Sequence, residues 1–161
     1  MASIVGALAG CSCSETPTAV APPEPFIPIA QPYVIEVTGE QYRWQIRHPG
    51  SDGMLHTSDD VVTPRDIHIP AETDVSIVVK SSDYVYSLAI PDFKLHEMAV
   101  PQLELRMNLR TGAAGEFPLI GDEFCGDPHP ELTGSVVVES RDAFRTWLLD
   151  QSRQSALPSV P

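Results

Sequence analysis

The fold is decided by "QYRWQIRHP", residues 41–49, in which Tyr42, Trp44 and Ile46 alternate with Gln41, Arg43 and Gln45. A period of two puts one set on an apolar face and the other in water, which describes a half-buried β-strand. The same alternation precedes it in "YVIEVTG", residues 33–39, where Val34 and Glu36 interleave with Ile35 and Val37. Further short strands are expected in "RDIHIP", "DVSIVVKSS", "YVYSLAIP", "LELRMNLR", "GEFPLI" and "GSVVVES", with Gly or Pro at nearly every junction. Seven or more short strands at this spacing predict a β-sandwich or a Greek-key barrel.

The period changes near the C-terminus. Ser140 is a candidate N-cap, and "RDAFRTWLLDQSR" sets Phe144, Trp147 and Leu148 on one helical face. A short helix packed on the sheets is expected there, with residues 151–161 as a flexible tail.

The 161 residues suffice for one domain with a real core. A formal net charge of -12 disfavours nucleic acid or anionic lipid as the main partner and suits a basic protein. The same acidity also serves solubility alone. The three cysteines, Cys11, Cys13 and Cys125, argue against a disulfide framework, since the number is odd and the first two are too close to staple a fold.

The N-terminus reads "MASIVGALAGCSCSETPTAVAPPEP", an apolar run of small residues ending in Leu8-Ala9-Gly10-Cys11. It resembles a bacterial lipoprotein signal, in which Cys11 would be lipidated. No Lys or Arg precedes Cys11, so a start placed too late, or the remnant of a membrane hairpin, stays open. Residues 1–11 are read as the signal segment, 12–32 as a Pro/Ser/Thr/Ala-rich linker, and 33–150 as the folded domain. No later segment approaches the ~20 apolar residues that a membrane-spanning helix needs.

Two loops carry candidate ligands. "SDGMLHTSDD" holds several oxygen donors near a Gly, but lacks the grammar of a calcium hand and reads better as a solvated hairpin turn. "GDEFCGDPHPEL", residues 121–132, sets Cys125 and His129 at the spacing of a copper loop. One thiolate and one imidazole are half of a blue-copper donor set, and Tyr86, Glu123, His96 or Met98 are candidates for a third ligand. Otherwise Cys125 is a small buried hydrophobe and His129 a hydrogen-bonded loop residue. His48, His56 and His68 carry no recognisable catalytic grammar. Trp44 is read as packing.

Taken together, residues 33–148 resemble the extramembrane copper domain of cytochrome c oxidase subunit II. "VTGEQYRWQIRHPGSDG", "TPRDIHIPAETDVSIVVKSSDYVYSLAIP", "HEMAVPQ", "GDEFCGDPHPEL" and "SRDAFRTWL" carry the likeness in order along the chain. The resemblance implies an all-β, cupredoxin-like Greek-key sandwich or barrel with a short C-terminal helix. The family's dinuclear copper centre takes two His, two bridging Cys, a Met and the carbonyl of an intervening Glu. Here the first His falls on Tyr86, the first Cys on Gly121, the Glu on Glu123, the second Cys on Cys125, the second His on His129 and the Met on Leu132. Its electron-entry Trp falls on Tyr42.

Glu123, Cys125 and His129 would thus be remnants of a dinuclear site. The expectation is no bound cofactor, with one copper ion at Cys125 and His129 as the alternative. The functional expectation is an accessory or structural part of a heme-copper oxidase, without independent catalysis. It would be tethered on the outer, periplasmic face of the cytoplasmic membrane and partnered by oxidase subunit I or a cytochrome c-like protein. A stand-alone cupredoxin-like electron carrier and a copper-delivery module are the alternatives.

Overall fold

The computed structural model describes residues 29–123 and 129–156. Cys11, Cys13, Cys125 and most of the expected linker lie outside the described residues.

Ten strands run in chain order: β1 (Tyr33–Glu40), β2 (Arg43–His48), β3 (Val61–Pro64), β4 (Ile67–Pro70), β5 (Asp74–Ser81), β6 (Tyr86–Ile90), β7 (Leu95–Ala99), β8 (Leu105–Arg110), β9 (Gly115–Glu123) and β10 (Gly134–Glu139). Among the described residues one α-helix, α1 (Arg141–Ala156), follows. The strands form two five-stranded sheets, ordered β3-β2-β1-β5-β8 and β4-β10-β9-β6-β7. β1 with β5 and β10 with β4 are parallel pairs, and the other neighbours are antiparallel. The expected two-sheet architecture is therefore present.

Alternation along each strand supplies the core between the sheets. Tyr33, Ile35 and Val37 of β1, Trp44 and Ile46 of β2, and Val75, Ile77 and Val79 of β5 come from one side. Ile67, Ile69, Tyr86, Leu88, Ile90, Leu119, Val136 and Val138 come from the other. Burial of this apolar surface is the main favourable term in folding.

Glu36 departs from simple alternation. It lies on the far face of β1 and is still buried. Lys80 Nζ at 2.8 Å, His56 Nε2 at 3.1 Å and Arg47 Nε at 3.7 Å surround its carboxylate. The Lys80 and Arg47 cations thus answer the charge, as a buried carboxylate requires. The loop after β2 brings His56 there. In that loop Asp59 accepts from Ser51 N, Ser51 Oγ and Thr57 Oγ1 at 2.7–2.8 Å. Hydrogen bonds from Thr57 and Ser51 hold its carboxyl down at about 2. The loop's oxygens are thus engaged with its own N–H and O–H groups.

The structure adds two strands to the sequence reading, β3 and β7. It also lengthens the helix. Residues 151–156, expected in the tail, continue α1 as helix, and an Arg153–Asp150 pair at 3.4 Å braces that turn. The start is as expected: Ser140 Oγ accepts from Ala143 N at 3.3 Å, and Phe144 and Leu148 are buried. α1 seats its aromatic face on His48 and His68. Trp147 stacks on His68 at 4.2 Å between centroids and meets His48 edge-on at 5.0 Å.

Candidate functional site

The sheet register brings the positions singled out in the sequence to one end of the sandwich. Tyr86 of β6 is directly opposite Glu123 of β9, and Leu88 is opposite Gly121. A short 3-10 turn, Pro130–Leu132, follows His129 and drops Leu132 into the core. Tyr86, Gly121 and Leu132 are therefore gathered at one end of the sandwich, where the strand end at Glu123 runs opposite Tyr86 and His129 lies against Tyr42. Cys125 lies outside the described residues.

Tyr86 is fully buried. Its ring meets Trp44 at 5.8 Å and Tyr42 at 6.2 Å, both edge-on. It also lies on Gly39 of β1 so closely that no Cβ fits there. The phenol donates to Asp83 Oδ1 at 2.7 Å and accepts from Tyr42 N at 3.3 Å. Burial, with Asp83 beside it, pushes the phenol above its ordinary value. Burial alone would raise Asp83, but hydrogen bonds from Gln41 N, Tyr86 OH and Tyr84 N outweigh it and hold the carboxyl below its usual range. Ser81 Oγ closes the same turn onto the Tyr84 carbonyl. Tyr86 is thus a neutral, hydrogen-bonded phenol.

Gly121 and Leu132 meet across Trp44. The indole Nε1–H donates to the Leu132 carbonyl at 2.8 Å. A Cβ on Gly121 would lie 2.6 Å from that carbonyl oxygen and 2.7 Å from Nε1. The space a side chain would need at Gly121 is filled by a hydrogen bond between residues 88 positions apart. Trp44 is packing, as expected, and it also fixes the turn after His129.

Tyr42 caps the cluster with a positive φ of 60° in the β1–β2 turn. Its ring lies 4.4 Å from the His129 imidazole and 5.4 Å from Tyr84, which is half exposed. The described part of the site is therefore an aromatic cluster of Tyr42, Trp44, Tyr84, Tyr86 and His129. Tyr84 and Asp83 were not singled out in the sequence. The signal was "SSDY", a turn in which a carboxylate faces its own backbone N–H groups.

His96 and Met98 of β7 sit opposite Ala89 and Ser87. By strand alternation they share the face of Ser87 and Asp122, not that of Tyr86. Among the described residues no group of three or more His, Cys, Asp or Glu side chains is placed to hold a metal ion.

His48, read as unremarkable, is fully buried. Its Nδ1 is 3.2 Å from the Tyr33 hydroxyl, and Nε2 has no partner. Burial, helped by nearby His68, pushes its pKa down to about 3.

No protein-family model matches the chain. Among curated proteins, an alternative cytochrome c oxidase subunit 2 of Bradyrhizobium diazoefficiens is 28% identical over 145 residues, covering 76% of this chain and 52% of that protein. Cytochrome c oxidase subunit 2 of Thermostichus vulcanus is 26% identical over 128 residues, covering 80% of this chain and 36% of the relative. The chain thus spans about a third to a half of the length of these relatives. Among solved structures, the periplasmic domain of subunit II of cytochrome oxidase of Bradyrhizobium japonicum superposes with a TM-score of 0.67 at 17% identity. That match covers 81% of this chain and 100% of the domain. A subunit II captured as a mixed disulfide with a thioredoxin-like protein gives 0.66 at 18%. Sequence likeness and overall fold agree: the chain carries a cupredoxin-like domain of the cytochrome c oxidase subunit II type.

Proposed function

We propose that this domain serves a heme-copper oxidase as an accessory or structural part, without the dinuclear copper centre of the family. The observation that carries the reading is the Trp44–Leu132 hydrogen bond across Gly121. Where the family pattern calls for a bridging thiolate, a side chain has no room. The other two substituted positions agree with it. Tyr86 is a buried phenol committed to Asp83, and Leu132 is a buried aliphatic side chain. A dinuclear centre held by two bridging thiolates does not fit these residues, and no electron-transfer step is assigned to one.

The tether follows from the sequence. Lipidation at Cys11 and an extended linker would hold the domain at the outer face of the cytoplasmic membrane. Oxidase subunit I is the proposed partner there, and the acidic surface would meet a basic cytochrome c-like protein. No helix among the described residues is long and apolar enough to cross a membrane.

A second reading is favoured by one contact. His129 sits 4.4 Å from Tyr42 at the rim of the cluster, half buried. With Cys125, and the Glu123 carbonyl opposite Tyr86, it could furnish a mononuclear copper site, making the protein an electron carrier or a copper-delivery module.

Capture of the full-length tagged chain from detergent-solubilised membranes of its host tests the first reading. A haem-containing oxidase subunit recovered in stoichiometric amount is the expected result. Recovery of the chain alone, with haem absent at every detergent strength tried, would contradict it.

A further inference from the structure

Beside the aromatic cluster lies a groove of about 450 Å³ lined by Arg43, Trp44, Pro64, Arg65, Pro130 and Glu131. Its volume lies within the roughly 300–1,000 Å³ of small-ligand sites. Two arginines on one groove run against the composition, since the chain has 10 basic and 22 acidic residues.

The two guanidiniums are in different states. Arg65 is fixed: its Nε and Nη2 donate to the Asp66 carboxylate at 3.0–3.3 Å, and its backbone N donates to the Trp44 carbonyl at 3.1 Å. Asp66 is itself held by Ser135 N at 3.0 Å. That leaves the Nη1 hydrogens of Arg65 for a ligand. Arg43 forms no side-chain hydrogen bond or ion pair among the described residues, although carboxylates answer Arg47, Lys80, Arg110 and Arg153 elsewhere. Its whole planar fork of donors remains for a bidentate acceptor.

The charges around the groove balance. Asp66 offsets Arg65, and Glu131 adds a second carboxylate to the lining. Recognition there depends on donor geometry rather than net field, which favours a singly charged planar carboxylate over a phosphate dianion. Pro64 and Pro130 offer apolar surface to the rest of the ligand.

We propose that this groove binds a carboxylate-bearing ligand, gripped in bidentate fashion by Arg43 and steadied by Arg65. The carboxylate comes either from a free small acid or from a Glu, Asp or C-terminus of another protein. The proposal is independent of the oxidase reading. It bears on the site because Trp44, which lines the groove, holds the turn after His129.

The test is an NMR titration of the full isotope-labelled chain with propionate, an amidated single-glutamate tetrapeptide, and inorganic phosphate. Saturable shifts of the Arg43 and Arg65 Nε–H and the Trp44 indole N–H are expected with propionate or the peptide. Saturation by propionate identifies a free acid as the source, and saturation by the peptide alone identifies a protein. Arg43→Ala should weaken binding about tenfold or more, and Arg43→Lys should not restore it, because a point charge lacks the fork. A retained amide spectrum shows that each variant is folded. Absence of saturable shifts with both carboxylates overturns the proposal. So does phosphate binding as tight as that of the carboxylates with Arg43→Lys active.

Discussion

At Gly121 a methyl group would sit 2.6 Å from the Leu132 carbonyl oxygen and 2.7 Å from Trp44 Nε1, the two partners of one hydrogen bond. Gly121→Ala should therefore cost about 1–3 kcal/mol, from overpacking and a lost buried hydrogen bond. Urea unfolding checks this, and an unchanged midpoint would show that the space is open. By the same reasoning Tyr86→His, Gly121→Cys and Leu132→Met together should fail to create a dinuclear copper spectrum while Trp44 is kept. Tyr86→Phe leaves Tyr42 N without its acceptor and Asp83 without one donor. It should lower stability by about 1–2 kcal/mol, read in the same assay. The identities at residues 86, 121 and 132 were legible in the sequence because co-linear spacing set them against the family pattern. The closure by Trp44 was not, because it joins residues 88 apart through a backbone carbonyl, which no side-chain pattern reports.

Between elements, the seat of α1 is where pH acts. His48 is buried among Tyr33, Phe144 and Trp147, and its pKa is pushed down to about 3. In the unfolded chain it would titrate near ~6.5. Below that pH the unfolded state binds a proton that the folded state refuses, so stability rises with pH from about 3 to about 6.5 and is level above. The loss between pH 6.5 and 4.5 should be roughly 2–3 kcal/mol. Asp59, held at about 2, contributes stability that is lost only below the ordinary carboxylate range, so the two windows separate. Urea unfolding at several pH values should show this slope in the parent chain and a clearly shallower one between pH 4.5 and 6.5 in His48→Phe. An identical slope in both would contradict the assignment. Sequence reading gave His48 no role and missed its burial, because Tyr33 and Trp147 reach it from β1 and α1. It also missed β3 and β7. β3 is four residues long and ends in Pro64, and β7 carries Glu97 and His96 within an edge strand, so neither shows a clean apolar alternation.

For the whole molecule, two sheets with opposed apolar faces were readable from strands such as "QYRWQIRHP", where the period of two is unbroken. The order of the strands within each sheet was not readable from periodicity. Parallel pairing of β1 with β5 and of β10 with β4 depends on connections that leave one sheet for the other. The family likeness implied a Greek-key sandwich or barrel with a short C-terminal helix, and the superposition on the subunit II domain, with a TM-score of 0.67, agrees with that architecture.

In the proposed reading, Trp44, Tyr86 and Leu132 leave this subunit II-type domain without room for a dinuclear copper centre. The most direct test of that reading loads the purified full-length chain with copper under reducing and then oxidising conditions, followed by metal analysis and electron paramagnetic resonance. Absence of any mixed-valence, two-copper signal is the predicted result. A single copper per chain with a thiolate-to-copper band would select the mononuclear reading. Two copper ions per chain sharing one delocalised electron would contradict the account.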